Sequence, residues 1–102
     1  MYLVHAHLEL PPHEELPQDV RALVRSAIVP RDRVEHVALH TASPSELTLG
    51  FYLLAEGLDE AEERALRVCR RLLRDVRELA AARLTGVGVP LMPQAFAPRT
   101  GD

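Results

Sequence analysis

Residues 34–56, VEHVALHTASPSELTLGFYLLAE, decide the fold of this chain. Two strand-like runs flank a Ser/Pro turn, and side-chain character alternates along each. The second run puts Leu47, Leu49, Phe51, Leu53 and Ala55 on one face and Thr48, Gly50, Tyr52 and Leu54 on the other. In the first run Val37 and Leu39 share a side, with His36, Ala38 and His40 opposite.

Parity fixes the pairing. A slip of one residue sends every side chain to the other face, so the apolar set selects the register. For Val37 and Leu39 to join Leu49 and Phe51, odd positions must face odd positions. The turn is then expected to hold an odd number of residues, either Ser43–Ser45 or Ala42–Glu46. A four-residue turn over Ser43–Glu46 would bury His36 and His40 against leucines and is rejected. The favoured register sets Ala38 opposite Gly50. Two nearly absent side chains would leave a dip there, ringed by His36, His40, Thr48 and Tyr52.

The flanking chain supplies the rest of an α+β domain. Tyr2 to Leu10 alternates at period two, with Tyr2, Val4, Ala6, Leu8 and Leu10 against Leu3, His5, His7 and Glu9, and Pro11-Pro12 ends it. Leu16, Val20, Leu23, Val24, Ala27 and Ile28 recur at helical spacing, with Pro17 suited to the first helical position and Pro30 as the stop. After Gly57, Asp59 and Glu62 form a D-x-x-E capping pair that opens a longer helix. Its expected stripe is Ala61, Ala65, Val68, Cys69, Leu72, Val76 and Leu79, closing at Leu84-Thr85-Gly86. Val87 to Met92 is expected as a last short strand, placed at a sheet edge because Pro90 lacks a ladder donor.

The resulting order, β-α-β-β-α-β, is the ferredoxin-like split arrangement. It implies a four-stranded antiparallel sheet in the order 4-1-3-2, with both helices on one face. The expected domain covers residues 1–92, and 93–102 form a loose C-terminal tail.

Length and composition bound the function. A chain of 102 residues is one domain and buries roughly 60–70% of its unfolded surface, enough for a core without staples. All twelve basic residues are arginine, and there is no Lys or Asn, a pattern that codon bias in a high-GC bacterial genome explains. A net charge of −3 creates no general field for nucleic acid or anionic membrane. A lone Cys69 allows no intrachain disulfide, and no apolar run approaches the roughly 20 residues that span a bilayer. The His- and Glu-bearing N-terminus does not suit a signal peptide, so a cytoplasmic location is expected.

The chemistry concentrates on the helix-free sheet face. His5, His7, His36 and His40 project there with Tyr52 over Gly50, whereas His13 lies in a loop. This face is expected to pair two copies of the chain or to bind a small molecule or protein ligand. His5-x-His7 puts two rings on one side of a strand, yet catalytic zinc takes about three protein ligands and no Cys or carboxylate other than Glu9 is an obvious completer; neither metal nor cofactor is assigned. No nucleophile with a positioned base, paired carboxylates or Gly-rich phosphate loop is legible.

In layout the chain resembles the dimeric α/β-barrel proteins, which pair open sheet faces and include small cofactor-free monooxygenases. That resemblance implies the enzyme alternative, an oxygenase or isomerase using His36 or His40 with Tyr52. The layout is also similar to small regulatory domains that bind ligands at sheet or dimer edges. RNA-recognition modules share the topology but stack bases on sheet aromatics, and here only Tyr52 faces outward. Finally, Arg64, Arg67, Arg70, Arg71, Arg74 and Arg77 form the polar half of the long helix. Such a ridge could dock an acidic partner, but Glu60–Arg64, Glu63–Arg67 and Arg74–Glu78 are expected to neutralise it as i,i+4 pairs.

Overall fold

A computed structural model describes residues 1–89. Its elements are β1 (Tyr2–Glu9), α1 (Val20–Ala27), β2 (Val34–Ser43), β3 (Glu46–Leu53), α2 (Leu58–Asp75) and β4 (Arg83–Gly88), with 3-10 turns at Pro30–Asp32 and Arg77–Leu79. The strands form one antiparallel sheet in the order β2-β3-β1-β4, which counted from the opposite edge is 4-1-3-2.

Alternation sorts the sheet into two sides. Val4, Ala6, Leu8, Val37, Leu39, Leu47, Leu49, Phe51 and Leu53 are all buried in one core with Val20 and Val24 of α1 and Ala61, Ala65, Val68, Cys69 and Leu72 of α2. Both helices therefore cover the same face, and the other is left open. Burying each such Leu or Val contributes roughly 1.5–3 kcal/mol relative to exposure, so the parity of this sheet outweighs any local turn preference.

The hairpin reaches the expected register by an unexpected route. Ala38 pairs with Gly50 and Leu39 with Leu49, so odd faces odd as the core requires. The turn itself is not an odd loop. Ser43 pairs with Glu46 across Pro44-Ser45, and the register shifts between Thr41 and Ser43. Ala42 is the extra residue of a β-bulge, and that bulge restores the parity that a two-residue turn would break.

Three boundaries differ from expectation. First, α1 begins at Val20 rather than near Pro17. The Leu16 N–H donates to the Pro44 carbonyl, which ties the preceding chain to the β2–β3 turn in a non-helical path. Second, α2 ends at Asp75. Its 18 residues span about 27 Å at 1.5 Å each, the length of an eight-residue strand at 3.4 Å, so a longer helix would overshoot the sheet. Val76 and Leu79 are buried as the stripe demands, but from the connection beyond the helix. Third, Leu84-Thr85-Gly86 lies inside β4, not at a helix end. The expected strand over Val87–Met92 therefore starts too late; its Pro90, and the expected tail, lie outside the described residues.

Helix polar contacts also depart from the local rules. Gly57 is the N-cap of α2 with no side-chain cap, and Glu60 Oε1, rather than Glu62, accepts from the Glu56 N–H at 2.7 Å. Of the three expected i,i+4 pairs only Glu60–Arg64 forms, at 2.9 Å. Arg74 turns to Asp75 instead, because Glu78 has left the helical ladder.

A buried ion pair pins α2 to the α1–β2 connection. Both Asp32 carboxylate oxygens accept from Arg71 at 2.6 Å, Arg71 Nη2 also donates to the Ala27 carbonyl, and Asp32 Oδ2 accepts from the Val29 N–H. Asp32 is the one buried charged residue of the described chain. Its carboxyl is held below its ordinary pKa, chiefly by the Arg71 hydrogen bonds. Removing one partner of a buried pair strands the other charge. Asp32→Ala is expected to cost about 3 kcal/mol in chemical denaturation, whereas Asp75→Ala at the exposed Arg74 pair should leave the denaturation midpoint nearly unchanged. Equal losses would contradict this assignment.

Candidate functional site: the open sheet face

The register arranges the open face in rows. One row runs Ala38–Gly50–His5–Gly88 across the four strands, and the next runs His40–Thr48–His7–Gly86. A third joins His36, Tyr52 and Leu3. All six residues singled out from sequence, His5, His7, His36, His40, Gly50 and Tyr52, thus share one side. His5, His7, Gly50 and Tyr52 each lie between two strand neighbours that enter the core, whereas His36 and His40, on the edge strand, each have one, Val37 and Leu39 respectively.

The dip over Gly50 is occupied. A Cβ built on Gly50 would lie 3.4 Å from Leu3 Cδ1, 3.5 Å from His5 Cδ2 and 3.6 Å from His5 Nε2. Two β1 side chains lean across it, so the central row is a low platform rather than a hollow. His5 is half-buried, while His7, His36 and His40 are exposed.

Two sub-clusters result. His7 Nδ1 and Thr48 Oγ1 share a 2.9 Å hydrogen bond whose direction depends on the imidazole tautomer. The His5 and His7 rings meet edge to face, with centroids 6.3 Å apart. At the sheet edge His36 packs against Tyr52, their centroids 5.6 Å apart and the planes tilted by 44°. Tyr52 therefore sits with His36 rather than with His40.

Sequence reading missed the β4 side of the face. Gly86 and Gly88 flank His7 and His5, and a Gly86 Cβ would stand 3.8 Å from His7 Cδ2. The alternation Gly86-Val87-Gly88 was the available signal, hidden by reading Gly86 as a helix terminator. Between His7 and Leu8 the ladder bulges, and there Thr85 Oγ1 donates to the His7 carbonyl at 3.1 Å. Charges gather at one end of the face, where Arg83 pairs with Glu9 at 3.1 Å and Glu46 stands opposite Glu9.

Among the described residues, no three His, Cys, Asp or Glu side chains converge as a metal-holding group. Cys69 faces the core, and burial pushes its thiol up to about 12, so it stays protonated and unreactive. No helix of the described residues is long and apolar enough to cross a membrane. No protein-family model and no curated protein matches the chain.

His5 lies below its ordinary pKa of 6.5, chiefly because burial disfavours the imidazolium and secondarily through repulsion from His7 and His40. A depressed folded-state pKa means that the unfolded chain takes up the proton more readily. The contribution is complete above about pH 6.5 and is lost as pH falls through the folded value. The thermal midpoint should drop between about pH 7 and pH 5, and His5→Gln should flatten part of that drop. Parallel curves for the two proteins would contradict it.

Proposed function

We propose that this protein is a small non-catalytic binding module whose open sheet face engages a second copy of the same chain. We read the layout as ferredoxin-like and the protein as a cytoplasmic bacterial one, in keeping with its lone, buried thiol. The single observation that carries the reading is the composition of the uncovered face. Its middle rows hold neutral or small groups, and Glu9, Glu46 and Arg83 stand at one end. An isologous contact sets each patch against itself, so a face without a central charge does not repel its mate. Gly50, Gly86 and Gly88 keep the surface low enough for two sheets to approach.

Magnitude sets the strength. Four strands about 4.8 Å apart and 25 Å long present roughly 500 Å² per copy, or roughly 1,000 Å² in a pair. That lies at the lower limit for specific association, so a concentration-dependent dimer is the expected form.

The enzyme alternative, a dimeric α/β-barrel type, has the Thr48–His7 contact to draw on. Among the described residues no carboxylate bonds to that imidazole to orient it, which is why binding is favoured over nucleophilic catalysis.

Sedimentation velocity tests the reading. At neutral pH a two-copy species should grow in as protein rises through the micromolar range. It should weaken on acidification, since a histidine-rich face set against its own copy brings like groups together. The double variant His36→Arg/His40→Arg should weaken the dimer by about tenfold or more at neutral pH while the monomer stays folded by circular dichroism, since both sites are exposed. A monomer at all concentrations, or a dimer indifferent to both changes, would contradict it.

A further inference from the structure

On the helical side of the molecule, a depression of about 720 Å³ runs along α2 beside the Pro30–Asp32 turn. Arg31, Arg64, Arg67, Arg70, Arg71 and Arg74 line it, against only Asp32 and Glu63. Six of the chain's twelve arginines thus meet two of its fifteen acids, leaving six arginines and thirteen acids for the rest of the molecule. A chain of net charge −3 has gathered its positive charge in one place.

Internal pairing does not account for this cluster. Arg71 is neutralised by Asp32, Arg64 by Glu60 and Arg74 by Asp75. Arg31, Arg67 and Arg70 are exposed and have no carboxylate within 4.0 Å among the described residues. Arg64 Nε is buried with no acceptor among the described residues. The Asp32–Arg71 clamp holds the wall of the depression rigid, so a bound anion would meet guanidinium groups presented from a fixed frame.

We propose that this depression docks a short acidic protein segment. Charge complementarity sets its sign, and the flanks set its length. Arg64 to Arg74 covers about 15 Å of helix, the reach of roughly five extended residues. Asp59, Glu60 and Glu62 stand before that stretch and Asp75 and Glu78 after it. A long phosphate polymer would run into those carboxylates at both ends, whereas a short carboxylate-bearing segment would not. This surface is distinct from the open sheet face, and the proposal does not depend on dimerisation.

The test is fluorescence anisotropy on the full-length chain with a labelled pentaglutamate peptide at about 20 mM salt, where screening is weak. Saturable binding is expected, and Arg31→Gln/Arg67→Gln/Arg70→Gln should weaken it by about tenfold with an unchanged melting curve. The charge-matched control Arg21→Gln/Arg25→Gln/Arg77→Gln, at exposed sites outside the depression, should stay within about twofold. Three results would overturn the proposal: no binding, equal loss in both triple variants, or tighter binding of a single-stranded DNA oligonucleotide than of the peptide.

Discussion

The pairing of Ala38 with Gly50, and of Gly50 with His5, assigns every residue of the sheet to its side. Because side chains alternate at period two, one displaced pair would exchange the contents of the two faces. Three local irregularities flank that row, one of which, between Val34 and His36, leaves Val34 packed against the core. Ala42 bulges out of β2 to reconcile a two-residue turn with the apolar register, and β4 bulges at Thr85 to keep Val87 and Leu84 directed to the core. All three irregularities lie outside the Ala38–Gly50–His5 row.

One-sided burial then divides the molecule chemically. Apolar side chains of the sheet and two helices exhaust one face, and what remains for the other is a platform of imidazoles, a tyrosine and glycines. On the far side of the helices a second polar feature arises for a different reason. There the buried Asp32–Arg71 pair joins α2 to the turn before β2, and the surrounding guanidinium groups outnumber the acids. A buried pair is weak evidence of net stability but strong evidence of position, since each partner is costly without the other. Sheet and helices thus present separate surfaces, one neutral and low, one basic and concave.

Much of this is legible in the sequence. Val37, Leu39, Leu49 and Phe51 had to share the core, and that requirement, with a turn centred on Pro44, set Ala38 against Gly50. The histidine face followed, because it is the complement of the same alternation. Other features had no local signature. Asp32 and Arg71 are 39 residues apart, and nothing near either of them marks the other as its partner. The lean of His5 and Leu3 over Gly50 depends on side-chain rotation, which a pattern of residue types does not encode. β4 was misplaced because Leu84-Thr85-Gly86 satisfies a helix-ending rule as well as a strand; chain geometry resolved the conflict, since α2 had already run the length of the sheet.

The central claim is that imidazoles and core aliphatics leave opposite sides of one layer. Nuclear Overhauser contacts in an isotopically labelled sample measure this most directly. The account predicts cross-strand backbone contacts from Ala38 to Gly50 and from Gly50 to His5, together with contacts between the His5 ring and the Leu3 methyls. Contacts from the His36 or His40 rings to the methyls of Val68 or Leu72 on α2 would contradict it.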